Sequence, residues 1–325
     1  MWQALTLASR GHDVCLREAA AETHSGAASR VAGAMLAPYC ESESAEPIVQ
    51  QLGLRGLELW QQFDPTLEVR GTLVLASQRD KAELDRYARM TEGHEPLYGP
   101  AIPHLEPLLG ERFQYGLYFP DEAHMAPRNA IDRLIGALRS LNVDLRFSSP
   151  VPEPLWLAAS AGGLVIDCRG LGARSGKIAL RGVRGEMAVV YAPALTLTRP
   201  IRFLHPRFPI YIVPWGRGLY MIGATMIESE SHASVTIRST LELMTSACRI
   251  HPWFLDARVT ELSIGVRPAF DDNIPKIGIE GKVISVNGAY RHGFLLAPAL
   301  AEIVADHLEH GLGLPKELVL RDTYE

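Results

Sequence analysis

The stretch that decides the fold runs from residue 2 to residue 18: Trp2-Gln3-Ala4-Leu5-Thr6-Leu7-Ala8-Ser9, then Arg10-Gly11, then Val14-Cys15-Leu16-Arg17-Glu18. Apolar residues around much of the first segment predict a buried helix, which Gly11 can end in a left-handed cap. The last segment predicts a short buried strand that ends at an acid. Helix, glycine turn, strand and acid form the second half of a βαβ dinucleotide unit, in which the acid binds a ribose hydroxyl. The same pattern also fits a strand that ends in a surface acid.

The first half of that unit lies outside the sequence. A phosphate-binding G-x-G-x-x-G loop should lie about 20 residues before the acid Glu18, which places its last glycine just before Met1. We therefore expect the natural chain to begin further upstream, by roughly a dozen or more residues, the length of a short strand plus the loop.

The composition is that of a globular protein, with 47% hydrophobic and 21% charged residues. The net charge of −5 argues against broad binding to nucleic acid or to an anionic membrane, which needs a basic surface. No apolar run approaches the roughly 20 residues of a membrane helix, and residues 1–10 lack the pattern of a signal peptide. We expect a cytoplasmic protein; its oligomeric state stays open, and a homo-oligomer is compatible with the sequence.

The cysteines and the common catalytic motifs narrow the function further. The four cysteines, Cys15, Cys40, Cys168 and Cys248, form no C-x-x-C pair or zinc-type cluster, so no metal site is predicted. Cys15 and Cys168 lie in apolar runs, which predicts buried, reduced thiols. H-E-x-x-H, G-x-S-x-G and P-loop motifs are absent from the sequence, which argues against metalloenzymes, hydrolases and kinases.

The remaining pattern alternates between α/β pieces and long extended insertions. Leu164 to Gly172 predicts a buried strand that ends in a Gly-x-Gly turn, where backbone can approach a ligand. Extended segments in series from Arg184 to Ile264 predict a mixed or antiparallel sheet. The predicted helices cover residues 44–63, 80–90, 129–141, 239–249 and 295–310, and the other predicted strands cover 67–76, 115–119, 187–191, 201–204, 210–214, 219–223, 259–264 and 282–286.

Several short motifs occur in order along nearly the whole chain. They are Arg10-Gly11-His12-Asp13-Val14 with Glu18, Ala28-Ser29, Ala32-Gly33-Ala34-Met35-Leu36-Ala37-Pro38, Val183-Arg184-Gly185-Glu186-Met187, Tyr211-Ile212-Val213-Pro214, Ile222-Gly223-Ala224-Thr225-Met226, Gly265-Val266-Arg267-Pro268 with Pro275-x-Ile277-Gly278, and Tyr290-Arg291-His292-Gly293-Phe294-Leu295-Leu296-Ala297-Pro298. Together they resemble the D-amino acid oxidase superfamily of flavoproteins, most closely the glycine oxidases of thiamine biosynthesis. The chain departs from that pattern at the absent glycine loop, at Ala34 (usually Gly) and at His292 (commonly Asn or a similar residue).

The resemblance implies an α/β protein with two interleaved domains. Residues 1–45, 125–183 and 265–325 would form a Rossmann-like FAD-binding domain whose first strand and glycine loop are truncated. Residues 46–124 and 184–264 would form a substrate domain built on a mixed or antiparallel sheet. FAD is the implied cofactor. Because Arg267 to Lys276 contains no cysteine for a covalent link, we expect the flavin to be bound non-covalently.

The resemblance also implies the site residues. Arg267 would bind the substrate carboxylate, because its planar fork makes two charge-assisted hydrogen bonds. Tyr211 would lie near the same carboxylate, Met226 would line the pocket, and Arg291 would serve flavin or substrate from the turn before the last helix. The residues implied for cofactor binding are Glu18, Ala28, Ser29, Ala32, Gly33, Met35, Val151, Gly170, Gly172, Arg291, His292, Gly293, Phe294 and Leu295.

The activity implied by the resemblance is FAD-dependent oxidation of glycine or a small primary or secondary amino acid. Hydride leaves Cα, the resulting imine hydrolyses to a 2-oxo acid, and O2 becomes H2O2; catalysis rests on positioning and on the cofactor. Three alternatives remain open: an oxidase or dehydrogenase of another amino acid, such as sarcosine or D-proline; the related flavin domain of tRNA-modifying proteins; and a non-catalytic protein, a truncated or degenerate flavoprotein that holds no cofactor.

Overall fold

The architecture was determined from a computed structural model that describes residues 1–22, 26–151, 163–175 and 178–320. Its α-helices are α1 (Trp2–Ser9), α2 (Pro38–Glu41), α3 (Pro47–Phe63), α4 (Lys81–Met90), α5 (Ala101–Leu105), α6 (Pro127–Ser140), α7 (Ile237–Ile250) and α8 (Gly293–His310). Short 3-10 turns lie at Ala28–Val31, Gln78–Asp80, Pro107–Arg112, Gly170–Ala173, Pro252–Asp256 and Lys316–Leu318.

The strands alternate with these helices. They are β1 (Cys15–Arg17), β2 (Met35–Leu36), β3 (Thr72–Ala76), β4 (Glu95–Tyr98), β5 (Tyr115–Phe119), β6 (Ala123–His124), β7 (Asp144–Arg146), β8 (Val165–Asp167), β9 (Arg181–Tyr191), β10 (Ile201–Leu204), β11 (Ile210–Gly216), β12 (Leu219–Gly223), β13 (Ile227–Glu228), β14 (Arg258–Ala269), β15 (Lys276–Glu280) and β16 (Val283–Asn287). The predicted elements within the described residues are present, with ends that differ by a few residues.

A large mixed sheet joins strands from the two predicted insertions. Its order in the described residues is β13-β9-β12-β11-β10-β3-β5-β4, with β14 paired along the other edge of β9. The pairing of β10 with β3 is parallel and its neighbours pair antiparallel, as the run of extended segments predicted. Apolar side chains such as Leu73, Ile201 and Ile212 are fully buried beneath it.

The α/β part consists of short parallel pairs covered by helices. β1 pairs in parallel with β7, and β16 pairs in parallel with β8. Helices α1, α3, α6 and α8 pack into one core around Trp60, whose indole N–H donates to the carbonyl of Phe294 over 2.7 Å. This bond ties α3 to the start of α8 and so fixes the turn that precedes α8. None of the helices that the structure describes is both long and apolar enough to cross a membrane.

Two sequence-based expectations about burial were wrong. Cys15 and Arg17 of β1 are exposed, and only Leu16 between them packs towards the helices. A strand covered on one face shows this alternation, whereas the prediction assumed cover on both faces. Cys168 is also accessible. It lies outside the apolar core and lines the cavity described below.

Two of the predicted domain boundaries fall within a continuous pair of strands. β14 begins before and extends past the predicted strand 259–264, and it runs antiparallel to β9 along its whole length. Gly185 faces Gly265 in this ladder, next to the two predicted boundaries at 183/184 and 264/265. The division into two domains stays a prediction.

Candidate active site

A cavity of about 650 Å³ lies where the 28–35 segment, β10, β11, β14 and the turn before α8 meet. Its volume is in the range of small-molecule and cofactor sites. Trp2 and Gln3 of α1, together with Cys168 after β8, also line it. Parts of the chain that are far apart in sequence therefore enclose one space.

Small residues form one wall of this cavity. Ala28, Ser29, Ala32, Gly33 and Met35, which the resemblance implies for cofactor binding, all line it. A Cβ on Gly33 would lie 2.8 Å from the ring of Tyr211, and one on Gly265 would lie 2.9 Å from Cγ2 of Val31. Both glycines are therefore needed for the backbone to pass so closely.

The structure shows what the departure from the family pattern at Ala34 does to the backbone. Its φ is +50°, in the left-handed region that L side chains rarely adopt. Glycine adopts this conformation without steric cost. The chain thus carries local backbone strain in the middle of the small-residue wall.

The turn between β16 and α8 forms a second wall. The residues of this turn and the first residues of α8 line the cavity: Asn287, Gly288, Ala289, Tyr290, Arg291, His292, Gly293, Phe294 and Leu295. The first N–H groups of the 18-residue helix α8 lack intrahelical partners and carry partial positive charge. Gly170 (φ +60°) also lines the cavity, and its N–H donates to Oδ1 of Asn287 over 2.8 Å.

These two walls fit the flavin part of FAD. The close backbone approach at Gly33 and Gly265 suits a flat ring, and the start of α8 suits its electron-rich pyrimidine edge. The backbone from Arg291 to Leu295 would hold that edge, and Ala28 to Met35 would hold a face of the ring.

Three of the predicted cofactor residues lie outside the residues that line the cavity. They are Glu18, Val151 and Gly172. Oε1 of Glu18 accepts the N–H of Ala20 over 2.8 Å and so closes the turn after β1. Gly172 is exposed in the 3-10 turn that follows β8. A role for these three in cofactor binding stays a prediction.

Arg267 reaches the cavity from near the C-terminal end of β14. Its guanidinium lies across the backbone of Gly185 on β9, where a Cβ would overlap it. Nη1 donates to the carbonyl of Thr225 over 3.2 Å. Within the described ranges, no carboxylate lies within 4 Å of this guanidinium. Arg267 therefore presents donors and an uncompensated positive charge to the cavity.

Tyr211 and Met226 lie beside the same segment. Tyr211 on β11 pairs with Gly223 on β12, and its ring lies 3.1 Å from the position of a Gly223 Cβ. Sδ of Met226 lies 3.5 Å from the hydroxyl of Tyr290 and 3.7 Å from Nη1 of Arg291. The structure thus brings the four predicted substrate residues, Arg267, Tyr211, Met226 and Arg291, to one cavity.

Sequence reasoning missed a buried carboxylate in this site, Glu41 at the end of α2. Its carboxylate pairs with Arg202 of β10, and its Oε2 lies 3.0 Å from Nε of Arg291 and 3.2 Å from Nδ1 of His292. Burial alone would raise the pKa of Glu41, but Arg291 and Arg202 hold it well below its usual range. Arg202, a charge between Ile201 and Phe203 in an apolar strand, was the signal that could have revealed the cluster.

His292 stays neutral in this cluster at neutral pH. Its side chain is 3% exposed, and burial lowers its pKa to about 4 despite the adjacent Glu41. The network therefore holds one carboxylate against two guanidiniums, with a neutral imidazole beside them.

A second buried acid, Glu122, binds the backbone of α2 and should make the stability of the fold depend on pH. Oε1 of Glu122 accepts the N–H of Cys40 over 2.7 Å, and burial raises the pKa of this carboxyl to about 7. The ordinary pKa of a glutamic acid is 4.5. Between pH 4.5 and pH 7 the folded state therefore binds more protons at Glu122 than the unfolded state does. The contribution of Glu122 to the free energy of unfolding is lost as pH rises through this range. Relative to wild type, Glu122→Gln should gain stability from pH 5 to pH 8, by on the order of 3 kcal/mol.

Chemical denaturation of both proteins at pH 5 and pH 8 measures this difference, since the other titrating groups are common to both. A free-energy difference that stays constant with pH would show that Glu122 ionises normally in the folded protein.

Gly185 carries a second prediction, because it makes room for the Arg267 guanidinium. Gly185→Ala should displace that guanidinium and lower kcat/KM for the substrate by at least about tenfold, the loss expected for a misplaced positioning group. Gly136→Ala is the matched control, since a Cβ there on α6 meets nothing within 4 Å. Steady-state kinetics of both variants check this. Equal kcat/KM values for Gly185→Ala and wild type would contradict the assigned packing.

Comparison with known proteins agrees with this geometry. Residues 1–307 match the family described as FAD dependent oxidoreductase (DAO). The chain is 46% identical to a Rhizobium etli protein named as a thiamine biosynthesis oxidoreductase, ThiO. The aligned 321 residues cover 97% of this chain and 94% of that protein. Glycine oxidase of Geobacillus kaustophilus is 26% identical, over 93% of this chain and 88% of the relative.

Solved structures share the fold. A crystal structure of glycine oxidase from Geobacillus kaustophilus superposes with a TM-score of 0.80, covering 98% of this chain and 95% of that one at 24% identity. Glycine oxidase from Bacillus cereus gives 0.81, covering 100% and 96% at 21% identity. The predicted fold class, an α/β protein with mixed and antiparallel sheets, is confirmed. The family match and the 46% identity show that the chain belongs to the DAO family of FAD-dependent oxidoreductases.

Proposed function

We propose that this protein is an amino acid oxidase that acts on glycine or a similarly small primary or secondary amino acid. For glycine the balanced reaction is glycine + O2 + H2O → glyoxylate + NH3 + H2O2, in which the imine is the first product and water hydrolyses it. The names of the relatives support this proposal, since one is a thiamine biosynthesis oxidoreductase and another a glycine oxidase. We further propose that the oxidised product serves thiamine biosynthesis.

The observation that carries the proposal is the uncompensated guanidinium of Arg267 in the cavity. It lies across Gly185 and is oriented by its hydrogen bond to the carbonyl of Thr225. A planar guanidinium that faces a cavity with free donors binds a carboxylate through two parallel hydrogen bonds. One end of an amino acid is thereby fixed, which restricts the directions in which its Cα–H bond can point.

The other residues of the site would orient and enclose the substrate. Tyr211 offers a phenol beside the same Gly223–Thr225 segment, and Met226 supplies a polarisable contact next to Arg291. When bound, FAD supplies the hydride acceptor and passes the two electrons to O2. A strong base is not required, because an amino group that enters in its neutral form carries no proton that must leave before the hydride. His292 is unsuited to that task in any case, because it is buried against Glu41.

The experiment that tests the proposal is a product balance with the FAD-loaded protein and glycine. We expect O2 consumed, H2O2, NH3 and glyoxylate in a ratio of 1:1:1:1. Sarcosine and D-proline, tested alongside, rank the preferred amino acid, since one methylene changes binding by only about 1–3 kcal/mol. Turnover with an artificial electron acceptor and none with O2 would identify a dehydrogenase instead. An FAD-loaded protein that oxidises no amino acid would refute the proposal.

A further inference from the structure

The charged side chains that line the cavity nearly cancel. Among the described lining residues, the acidic ones are Glu41, Glu43 and Glu83, and the basic ones are Arg86, Arg202, Arg267 and Arg291. The two histidines of the lining, His205 and His292, both have lowered pKa values, mainly through burial. At neutral pH these side chains therefore carry three negative and four positive charges.

Each of these carboxylates already has a guanidinium partner. Glu43 lies 2.7 Å from Arg86, and Glu83 lies 3.3 Å from the same guanidinium. Glu41 pairs with Arg202 and Arg291. Among the described residues, this leaves Arg267 as the lining cation without a carboxylate partner. The side chains of the lining thus leave one uncompensated positive charge, located where we propose that the substrate carboxylate binds.

Glu41 is the acid that sets this balance. It has little freedom to move, because its carboxylate is held between β10 and the turn before α8 and is 11% exposed. Without it, Arg202 would still be close to the buried Glu122, which interacts with it electrostatically. Among the residues that the structure describes, Arg291 would keep neutral partners, Ser44 at 2.6 Å and the sulfur of Met226 at 3.7 Å. Removing the charge of Glu41 therefore releases Arg291 as a second free cation of the cavity.

We propose that Glu41 is a specificity-determining residue, which excludes amino acids with a second carboxylate by neutralising the cation that would bind it. A second carboxylate in the wild-type cavity would lose its hydration without gaining a free charge partner, and it would be repelled by Glu41. Substrates with one carboxylate and an uncharged substituent are admitted. This inference rests on the proposed function, because it concerns how the same site selects its amino acid.

The test measures binding, so that it does not depend on turnover. Oxydiacetate and methoxyacetate are ethers in which oxygen replaces the substrate amine, and they differ by one carboxylate. Isothermal calorimetry of the FAD-loaded protein should give a Kd for oxydiacetate at least tenfold weaker than that for methoxyacetate. In Glu41→Gln this ratio should fall by at least tenfold. Adding Arg291→Gln to that variant should return the ratio towards the wild-type value.

Glu43→Gln is the matched control, because it removes the same charge from the cavity lining while Arg86 keeps Glu83 as a partner. Its ratio should stay within threefold of wild type. An unchanged ratio in Glu41→Gln, or an equal change in Glu43→Gln, would overturn the proposal. Should Glu41→Gln not fold, the wild-type ratio decides alone, since equal Kd values for the two ethers in wild type would also overturn it.

Turnover separates this inference from the proposed function. Glu41→Gln should raise kcat/KM for iminodiacetate relative to glycine at least tenfold, in parallel with the binding ratio. The expected change in binding without oxidation of any amino acid would support charge selection by Glu41 and refute the proposed oxidase. Oxidation of glycine by wild type, together with an unchanged binding ratio in Glu41→Gln, would support the proposed oxidase and refute charge selection by Glu41.

Discussion

Arg267→Lys is expected to lower kcat/KM for glycine by at least about tenfold, equivalent to about 1.4 kcal/mol of lost transition-state stabilisation. Lysine keeps the positive charge but cannot make the two parallel hydrogen bonds that orient the carboxylate. Arg267→Ala should cost more, roughly a hundredfold, because the carboxylate would then enter the cavity without a charge partner. Steady-state kinetics with glycine measure both effects.

The control for both Arg267 variants is that the fold and the bound flavin stay unchanged. The Arg267 side chain faces the cavity, and within the described part of the chain it donates to a single backbone carbonyl, that of Thr225. Tm and the flavin spectrum of both variants should therefore stay close to wild type. Wild-type rates in both variants would show that Arg267 does not bind substrate. Loss of flavin together with unfolding would place its role in the scaffold instead.

Gly56→Ala is expected to have the largest effect on stability. Gly56 lies on α3 where this helix crosses the start of α8, and a Cβ there would overlap the carbonyl oxygen of Leu295. Because the obstacle is backbone, rotation of a side chain cannot relieve the clash, so we expect a loss of about 3 kcal/mol or more. Thermal unfolding should show a Tm at least about 4 °C lower. FAD retention should also fall, since Leu295 and the turn before it line the cavity.

Gly136→Ala again provides the comparison, because the same methyl group enters open space on α6. Its replacement should stabilise the helix by about 0.5–1 kcal/mol. If Gly56→Ala behaved like Gly136→Ala, the close crossing of α3 and α8 would be wrong.

The fold could be predicted from sequence wherever local pattern and tertiary environment agree. The strands Tyr115–Phe119, Ile201–Leu204 and Leu219–Gly223 were predicted with their observed ends, because each has turn residues or polar residues at both ends. The predicted strand 259–264 was too short, since Gly265 and Pro268 are unfavourable in strands yet lie within β14. The long ladder with β9 overrides that local preference, and Gly265 is tolerated because the 28–31 turn presses against it.

The site could be predicted in part for a related reason. Short motifs identified Arg267, Tyr211 and the turn before α8 because each lies in a contiguous, specific segment. Glu41 and Arg202 are 161 residues apart and belong to different elements, so only the tertiary structure shows that they pair. The role of Gly185 likewise depends on how β9 and β14 are aligned. Only in this alignment does the Arg267 guanidinium occupy the space that a side chain at position 185 would fill.

The central claim is that this cavity oxidises an amino acid held by its carboxylate, and anaerobic reduction of the bound flavin tests it most directly. The FAD-loaded protein is mixed with glycine, or with methylamine, which lacks the carboxylate, and the flavin absorbance is followed over time. The account predicts rapid, saturable bleaching with glycine and bleaching at least about a hundredfold slower with methylamine. It also predicts that Arg267→Ala removes most of this difference. Bleaching at equal rates by the two amines, or no bleaching by glycine, sarcosine or D-proline, would contradict it.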